Sequence, residues 1–297
     1  MVEPESQLQG FSLQLGDGNR WWLAGLPPAN AWLATVAPIM KLGQGKANGA
    51  NLMVFFEGEA LAEKLQGLVA ADPGWRNADN NSLRFWFRTD SPDLLISSNT
   101  PFSELSYFTC IRYPLEFVYR QSIKQGGLPC HAALGEYQGQ GVLLTAKSGT
   151  GKSTCYRRLP PTWQARCDDA ALLVLGPDGR YLAHPFPTWS DYVLARAKKT
   201  YRSQVPSPLA GIFFLEQASQ DACLPMKPSE AVLETLTAAQ VMMARFLWCC
   251  GPEEARSIRT ALFANAIDLF RKVPAFRLRV SLTGRFWEQI EAALDKH

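Results

Sequence analysis

Residues 146–154 have the sequence AKSGTGKST, and this stretch decides the fold. It matches the phosphate-binding pattern G-x-x-x-x-G-K-[ST], except that Ala146 stands at the position of the first glycine. An apolar strand is predicted before it, at residues 141–145, and a helix after it, which Pro160 and Pro161 end. A strand, a glycine-containing loop and a helix in this order predict a nucleotide-binding loop in an α/β protein.

The residue types of this loop have separate tasks in phosphate binding. Gly149 and Gly151 let the backbone point its N–H groups at phosphate oxygens, and the start of the following helix adds its positive dipole end. Lys152 supplies a cation for the β- and γ-phosphates, and the Ser153 hydroxyl supplies a ligand for Mg²⁺. We therefore predict ATP or another nucleoside triphosphate, with Mg²⁺, bound by Ser148, Gly149, Thr150, Gly151, Lys152, Ser153 and Thr154. A turn without a ligand is the structural alternative, and it rarely supplies this combination.

Two adjacent aspartates follow the loop in the chain. Phosphoryl transfer needs a second anchor for Mg²⁺ and a group that accepts the proton of the attacking hydroxyl. Asp168 and Asp169 come directly after a predicted extended segment at residues 164–167, where such a carboxylate is expected. Neighbouring side chains on a straight strand point to opposite faces, so a bend is needed to bring both to the phosphates. We predict Asp168 and Asp169 as catalytic residues, with Asp168 also binding the metal; the alternative is that both are turn residues.

His131 lies upstream of the loop and is one of three histidines in the chain. A lone histidine more often makes a structural hydrogen bond than a catalytic contact. His131 before a strand, the run 148–153, and Asp168–Asp169 after a short helix together resemble the catalytic core of HPr kinase/phosphorylase. That fold is shared with phosphoenolpyruvate carboxykinase, and the resemblance covers about residues 105–220.

The resemblance implies a role for each matching residue. Lys152 would contact the phosphates, Ser153 would bind Mg²⁺, and Asp168 and Asp169 would divide the roles of base and metal-site carboxylate, with His131 orienting the pair. It also implies a curved mixed β-sheet with flanking helices, and it leaves a homo-oligomer open. The segment that supports the reverse, phosphorylase reaction in that family has no counterpart here. The implied activity is therefore that of a kinase, and HPr is not the expected acceptor.

Three other segments are similar to the C protein of the SynChlorMet cassette. They are the predicted hairpin at residues 17–21 (DGNRW), residues 39–42 (IMKL) and residues 281–287 (SLTGRFW). Those proteins resemble HPr kinase and are associated with radical-SAM peptide-modification genes.

The alternation of apolar and polar residues predicts an α/β (α+β) fold with two domains. These are a small N-terminal α/β domain at residues 1–103 and a P-loop kinase domain at residues 104–297, the latter with a mixed sheet and flanking helices. In the first, strands are predicted at 11–15, 21–24, 52–56, 83–87 and 94–96, helices at 31–42 and 60–71, and a loop at 72–82. In the second, helices are predicted at 114–124, 152–159, 229–249, 253–272 and 285–294, and strands at 141–145, 170–175, 180–183, 209–215 and 275–282.

Composition excludes several classes of protein. Of 297 residues, 47% are hydrophobic and 19% charged, which is typical of a globular chain. The net charge of +3 and the scattered basic residues do not predict nucleic-acid binding. No apolar run is long enough for a membrane span, and the polar first ten residues do not predict a signal peptide. Seven cysteines without a CxxC pair are typical of reduced thiols, so we expect a cytoplasmic protein.

Two further groups of residues are candidates for contact with an acceptor. His184, Trp189 and the basic run Arg196, Lys198, Lys199 and Arg202 follow the aspartates in the chain; a rigid corner and a solvated helix face are the structural alternatives. The N-terminal aromatic residues are more often core than a ligand site. They are Trp21, Trp22, Phe55, Phe56, Phe85, Trp86 and Phe87.

The sequence thus predicts an ATP- and Mg²⁺-dependent kinase that transfers the γ-phosphoryl group to a hydroxyl. The expected acceptor is a serine or threonine of a small protein or peptide, and a free small molecule is a variant of the same hypothesis. The alternative is a catalytically inactive nucleotide-binding module that recognises a peptide through its aromatic N-terminal domain. A base beside the γ-phosphate has no use in a pure binding module, so the kinase is favoured.

Overall fold

The computed structural model describes residues 9–72, 74–80, 82–88, 90–104, 107–147, 149–187 and 200–296. The N-terminal part forms a seven-stranded mixed sheet with the order β3-β1-β2-β4-β7-β6-β5. Its strands are β1 (Gly10–Gln14), β2 (Arg20–Gly25), β3 (Gly43–Gly45), β4 (Asn51–Glu57), β5 (Trp75–Asn80), β6 (Leu83–Arg88) and β7 (Leu94–Ser98), and its helices are α1 (Ala29–Val36) and α2 (Glu59–Ala71). The strands β2, β4 and β7 are parallel, and the other pairs are antiparallel.

Successive side chains of β4 point to opposite faces of this sheet, and both faces are covered by packed aromatic residues. Phe55 points to one face, where its ring lies 5.2 Å from that of Trp32 on α1. Phe56 points to the other face and stacks on Trp86 at 5.6 Å, in a small cluster that α2 covers. The aromatic residues singled out in the sequence are all buried, so their interpretation as core is confirmed.

The second sheet has nine strands in the order β11-β9-β10-β14-β13-β12-β8, and β14 also pairs with β16, which pairs with β15. Its strands are β8 (Leu128–Cys130), β9 (Ala132–Tyr137), β10 (Gln140–Thr145), β11 (Trp163–Cys167), β12 (Ala171–Leu175), β13 (Tyr181–Pro185), β14 (Ser207–Gln217), β15 (Ala222–Pro225) and β16 (Ala275–Val280). The helices are α3 (Tyr107–Ile123), α4 (Lys152–Arg158), α5 (Pro228–Met242), α6 (Ala244–Cys249), α7 (Pro252–Phe270) and α8 (Phe286–Leu294). Two mixed sheets with packed helices confirm the α/β (α+β) class.

The parallel strands of this sheet fix the position of the site. Since β10, β14 and β16 are parallel neighbours, their carboxyl ends lie at one edge. One face of these strands packs on α4 and α8, and the other belongs to a large core shared with α3, α5 and α7. The loop between β10 and α4 therefore begins at an edge of the sheet that both layers of helices border.

The two sheets share one continuous hydrophobic core. Phe85 of the first sheet stacks at 5.6 Å on Phe117 of α3, and Phe87 lies 6.2 Å from Phe246 of α6. The boundary near residue 103 stays a prediction, since side chains from both sides of it pack together. None of the helices within the described ranges is long and apolar enough to cross a membrane.

Several predicted boundaries were wrong, and proline explains two of them. The helix predicted at 31–42 ends at Val36, because Pro38 cannot continue the ladder of hydrogen bonds. In α3 the opposite holds: Pro114 lies inside the helix, which begins at Tyr107 rather than at residue 114. The helix predicted at 229–249 is divided at Met243 into α5 and α6. The predicted loop 72–82 contains β5, a polar strand at the edge of the sheet, where alternation of apolar residues is not required.

Candidate active site

The predicted phosphate-binding loop, residues 146–153, has the backbone that its glycines predict. Gly149 and Gly151 have φ angles of 83° and 105°, which L-residues with a side chain rarely adopt. A Cβ atom at either position would meet no atom within 4 Å, so the backbone angle and not crowding requires glycine. Helix α4 begins directly after Gly151, at Lys152. Ser148 lies outside the described residues.

Lys152 is buried in the site, with 8% of its side chain exposed. Its Nζ donates a hydrogen bond to the Asp168 carbonyl oxygen at 3.1 Å and forms an ion pair with Oδ1 of Asp169. A buried ammonium group is costly without such partners. The aspartate pair therefore holds the lysine, which the sequence places in a different segment of the chain.

The two aspartates lie in a bend between β11 and β12, as their proposed shared task requires. Their environments differ. Asp169 is about one-third exposed and faces Lys152, whereas Asp168 is 8% exposed. Oδ1 of Asp168 is buried and has no hydrogen-bond partner within the described part of the chain. A buried carboxylate oxygen without a partner costs free energy, which a bound cation would offset.

His131 lies between β8 and β9, and the sheet brings it to the loop. Because Ala132 pairs with Thr145, the residue before Ala132 borders the point where β10 ends. Nε2 of His131 is 3.6 Å from Oδ1 of Asp169. Burial and the charge of Lys152 lower the pKa of His131 below its ordinary value of 6.5, and Asp169 opposes this effect. The imidazole is therefore neutral at pH 7.

The remaining described residues of the predicted nucleotide site are Thr150, Ser153 and Thr154. Thr150 donates its backbone N–H to the Lys147 carbonyl oxygen at 3.2 Å, and its own carbonyl accepts a hydrogen bond from Gln217 at 3.3 Å. Ser153 is partly buried in the first turn of α4, and Thr154 is exposed. Among the described residues, no three His, Cys, Asp or Glu side chains cluster in a way that could hold a metal. The pairing of Ser153 with Asp168 as Mg²⁺ ligands stays a prediction.

Sequence reasoning missed two contributors to the site. Arg112 on α3 is close enough for its charge to lower the pKa of His131 further. On α5, the carbonyl of Ala238 accepts the backbone N–H of His131 at 3.3 Å, so this helix borders the site. Neither residue has a local motif, and only the packing of α3 and α5 on the sheet could have identified them.

Of the other acceptor-site candidates, the structure describes His184 and Arg202. His184 is fully buried between the two sheets: its Nε2 accepts the Gly16 N–H at 2.9 Å, and its Nδ1 donates to the Ser203 carbonyl at 2.7 Å. It is a structural link, so the interpretation of His184 as a substrate contact was wrong. Arg202 is exposed. Trp189, Arg196, Lys198 and Lys199 lie outside the described residues.

Comparison with known families gives one match. The model of the family described as SynChlorMet cassette protein ScmC matches residues 103–295, about two thirds of the chain. The matched range contains His131, Lys152, Asp168 and Asp169. A comparison with curated proteins finds no match.

Proposed function

The chain belongs to the SynChlorMet cassette protein ScmC family, and we propose that it is an ATP- and Mg²⁺-dependent kinase with HPr kinase-like chemistry. It transfers the γ-phosphoryl group to a hydroxyl, that of a serine or threonine in a small protein or peptide. One observation carries the proposal: buried Lys152, directly after a loop in which Gly149 and Gly151 have positive φ angles, forms an ion pair with Asp169, whose Oδ1 lies 3.6 Å from Nε2 of His131.

The ion pair between Lys152 and Asp169 is suited to exchange on nucleotide binding. Phosphate oxygens compete with Asp169 for the lysine ammonium, because both are anions and the phosphate group carries more charge. Once Lys152 contacts phosphate, the Asp169 carboxylate is free to accept a proton. The acceptor hydroxyl oxygen then bonds to the γ-phosphorus, the bond from γ-phosphorus to the bridging oxygen breaks, and the hydroxyl proton passes to Asp169.

His131 acts through Asp169 rather than on the phosphate. Burial and the charge of Lys152 lower the pKa of its ring, which disfavours a second cation beside Lys152. At 3.6 Å from the carboxylate oxygen, it limits the orientations of Asp169 after Lys152 has moved to the phosphate. We therefore assign His131 as a positioning residue and Asp169 as the base.

Asp168 and Ser153 are the residues that would hold Mg²⁺. The buried Oδ1 of Asp168, which has no hydrogen-bond partner among the described residues, fits a cation. Magnesium sites near phosphates use few protein ligands because phosphates and water supply the rest. When bound, Mg²⁺ neutralises charge on the transferred group.

The test is phosphoryl transfer from labelled ATP with Mg²⁺ to a panel of serine- and threonine-containing peptides, together with ATP hydrolysis. Asp169→Asn is expected to lose transfer, because it removes the base, while it still binds ATP. Lys152→Ala is expected to lose ATP binding, and Lys64→Ala, an exposed lysine on α2, serves as the control.

The inactive binding module is the competing hypothesis. It required an aromatic surface in the N-terminal part, and those aromatic side chains are buried. If the wild-type protein binds ATP with Mg²⁺ but neither transfers nor hydrolyses phosphate, the kinase proposal is wrong.

A further inference from the structure

A groove of about 450 Å³ lies beside the phosphate loop. One wall is the loop itself, through Lys147, Gly149 and Thr150. The floor is the carboxyl end of β14, residues 215–217, and the far side is formed by Glu234 of α5 and Arg277 of β16. The volume falls in the range of about 300–1,000 Å³ that is typical of small-molecule sites.

The order of the strands separates this groove from the catalytic residues. Along the sheet the order is β11-β9-β10-β14, with β16 beyond β14. His131 and Asp169 belong to the side of β9 and β11, whereas the groove lies over β14 and β16. Neighbouring strands are about 4.8 Å apart, so β16 is roughly 10 Å from the strand that carries the loop.

The two ends of a nucleoside triphosphate match the two sides of the loop. Its γ-phosphate must lie at Asp169, where the proposed base is, and its nucleoside is attached to the opposite end of the phosphate chain. A nucleotide that lies across the loop therefore places its ribose and base over β14 and β16. Helix α5 borders both ends, because Ala238 accepts a hydrogen bond from His131 and Glu234 is one turn earlier on the same helix.

The side chains at the far end suit a nucleoside. Nη1 of Arg277 donates to Oε2 of Glu234 at 3.1 Å, and both side chains are partly exposed. A carboxylate accepts hydrogen bonds from ribose hydroxyls, and a planar guanidinium stacks on a base. Gln217 connects this floor to the carbonyl of Thr150 at 3.3 Å, so groove and loop are held in a fixed relation.

We propose that this groove binds the ribose and base of the donor, with Glu234 contacting the ribose hydroxyls and Arg277 the base. The inference rests on the proposed function, and it makes the donor a nucleoside triphosphate rather than pyrophosphate. The acceptor is the weaker candidate for this groove, since its hydroxyl must reach Asp169 on the other side of the loop.

The experiment compares the binding of ATP and of inorganic tripolyphosphate by titration calorimetry. The double variant Glu234→Ala/Arg277→Ala removes both charges together, so neither is left without its partner. It is expected to bind ATP at least tenfold more weakly than wild type and tripolyphosphate with unchanged affinity. The control is Asp268→Ala/Arg271→Ala, an exposed ion pair on the surface of α7 and the turn after it, and circular dichroism checks that each variant is folded.

Three outcomes would overturn the inference: equal affinity of the wild type for the two ligands, unchanged ATP binding by the double variant, or equal weakening of both ligands. A double variant that binds ATP normally but loses phosphorylation of a peptide would assign the groove to the acceptor instead. The proposed function fails separately, if the wild type binds neither ligand or if Lys152→Ala binds both normally.

Discussion

Replacing Asp169 by asparagine is expected to change binding and turnover in opposite directions. Asp169 is the ion-pair partner of Lys152. A phosphate group must displace it, and the carboxylate then lies near the incoming negative charge. Asparagine keeps the size and a hydrogen-bond acceptor for the lysine, but it removes the charge that competes with phosphate.

The magnitude follows from the burial of the pair. The Lys152 side chain is 8% exposed and that of Asp169 is 35% exposed, so the pair is stronger than a surface ion pair yet partly screened. An exposed pair contributes up to about 1 kcal/mol, and we take about 1 kcal/mol as the gain on removing it. Since 1.36 kcal/mol is a factor of ten, ATP without Mg²⁺ should bind Asp169→Asn roughly fivefold more tightly. Loss of a general base should reduce transfer by about 10²- to 10⁴-fold.

Calorimetry with ATP in EDTA measures the first effect, and the rate of phosphoryl transfer or ATP hydrolysis with Mg²⁺ measures the second. Asp168→Asn is the matched control: its carboxylate does not contact Lys152, so it should leave binding in EDTA unchanged and weaken only binding that depends on Mg²⁺. Weaker binding of ATP to Asp169→Asn in EDTA would refute the proposed exchange of partners by Lys152.

Three further predictions concern the backbone and two buried groups. Gly151→Ala should weaken ATP binding, measured by calorimetry, and lower the free energy of unfolding in urea by about 1–3 kcal/mol, because Gly151 has a φ of 105°. Gly43 is equally uncrowded but has no positive φ, so Gly43→Ala should change neither quantity. Burial raises the pKa of Glu116 from 4.5 to about 7, so the contribution of Glu116 to stability falls as pH rises from 4.5 to 7. Glu116→Gln should remove this contribution and be roughly 2–3 kcal/mol more stable relative to wild type at pH 8 than at pH 4; equal pH dependence of the two proteins in urea unfolding would contradict it. Burial lowers the pKa of His184 below 6.5, so the contribution of His184 to stability is full above pH 6.5 and is lost as pH falls. His184→Gln should therefore lose less stability than wild type in urea unfolding between pH 6.5 and 5. An equal loss of stability in the two proteins over this range would refute the prediction.

The parts of the site that the sequence predicts are those whose residues lie close together in one short segment of the chain. Gly149, Gly151 and Lys152 have the spacing of the motif; the two glycines have the positive φ angles that it predicts, and Lys152 is buried in the site. The ion pair between Lys152 and Asp169 was not predicted, because it depends on which strands are neighbours in the sheet.

Other features have no local signal. Glu234 and Arg277 come together because β14 and β16 are parallel neighbours and α5 packs over them, and no spacing along the chain encodes that arrangement. The edge strand β5 was missed for a different reason. Its residues include Asn77 and Asp79, which solvent tolerates at an edge but which a pattern of alternating apolar residues does not identify as a strand.

Ala146, the departure from the phosphate-loop pattern, has a physical explanation in the same terms. Its backbone does not lie in the left-handed region, so this position does not need glycine, in contrast to Gly149 and Gly151. Its methyl group packs on the apolar cluster beneath the sheet, next to side chains of α4 and α8. The substitution therefore adds apolar contact on the side of the core and leaves the turn of the loop unchanged. The pattern specifies glycine at positions 146 and 151, whereas the backbone angles require it only at position 151 of these two. They also require glycine at position 149, which the pattern leaves open.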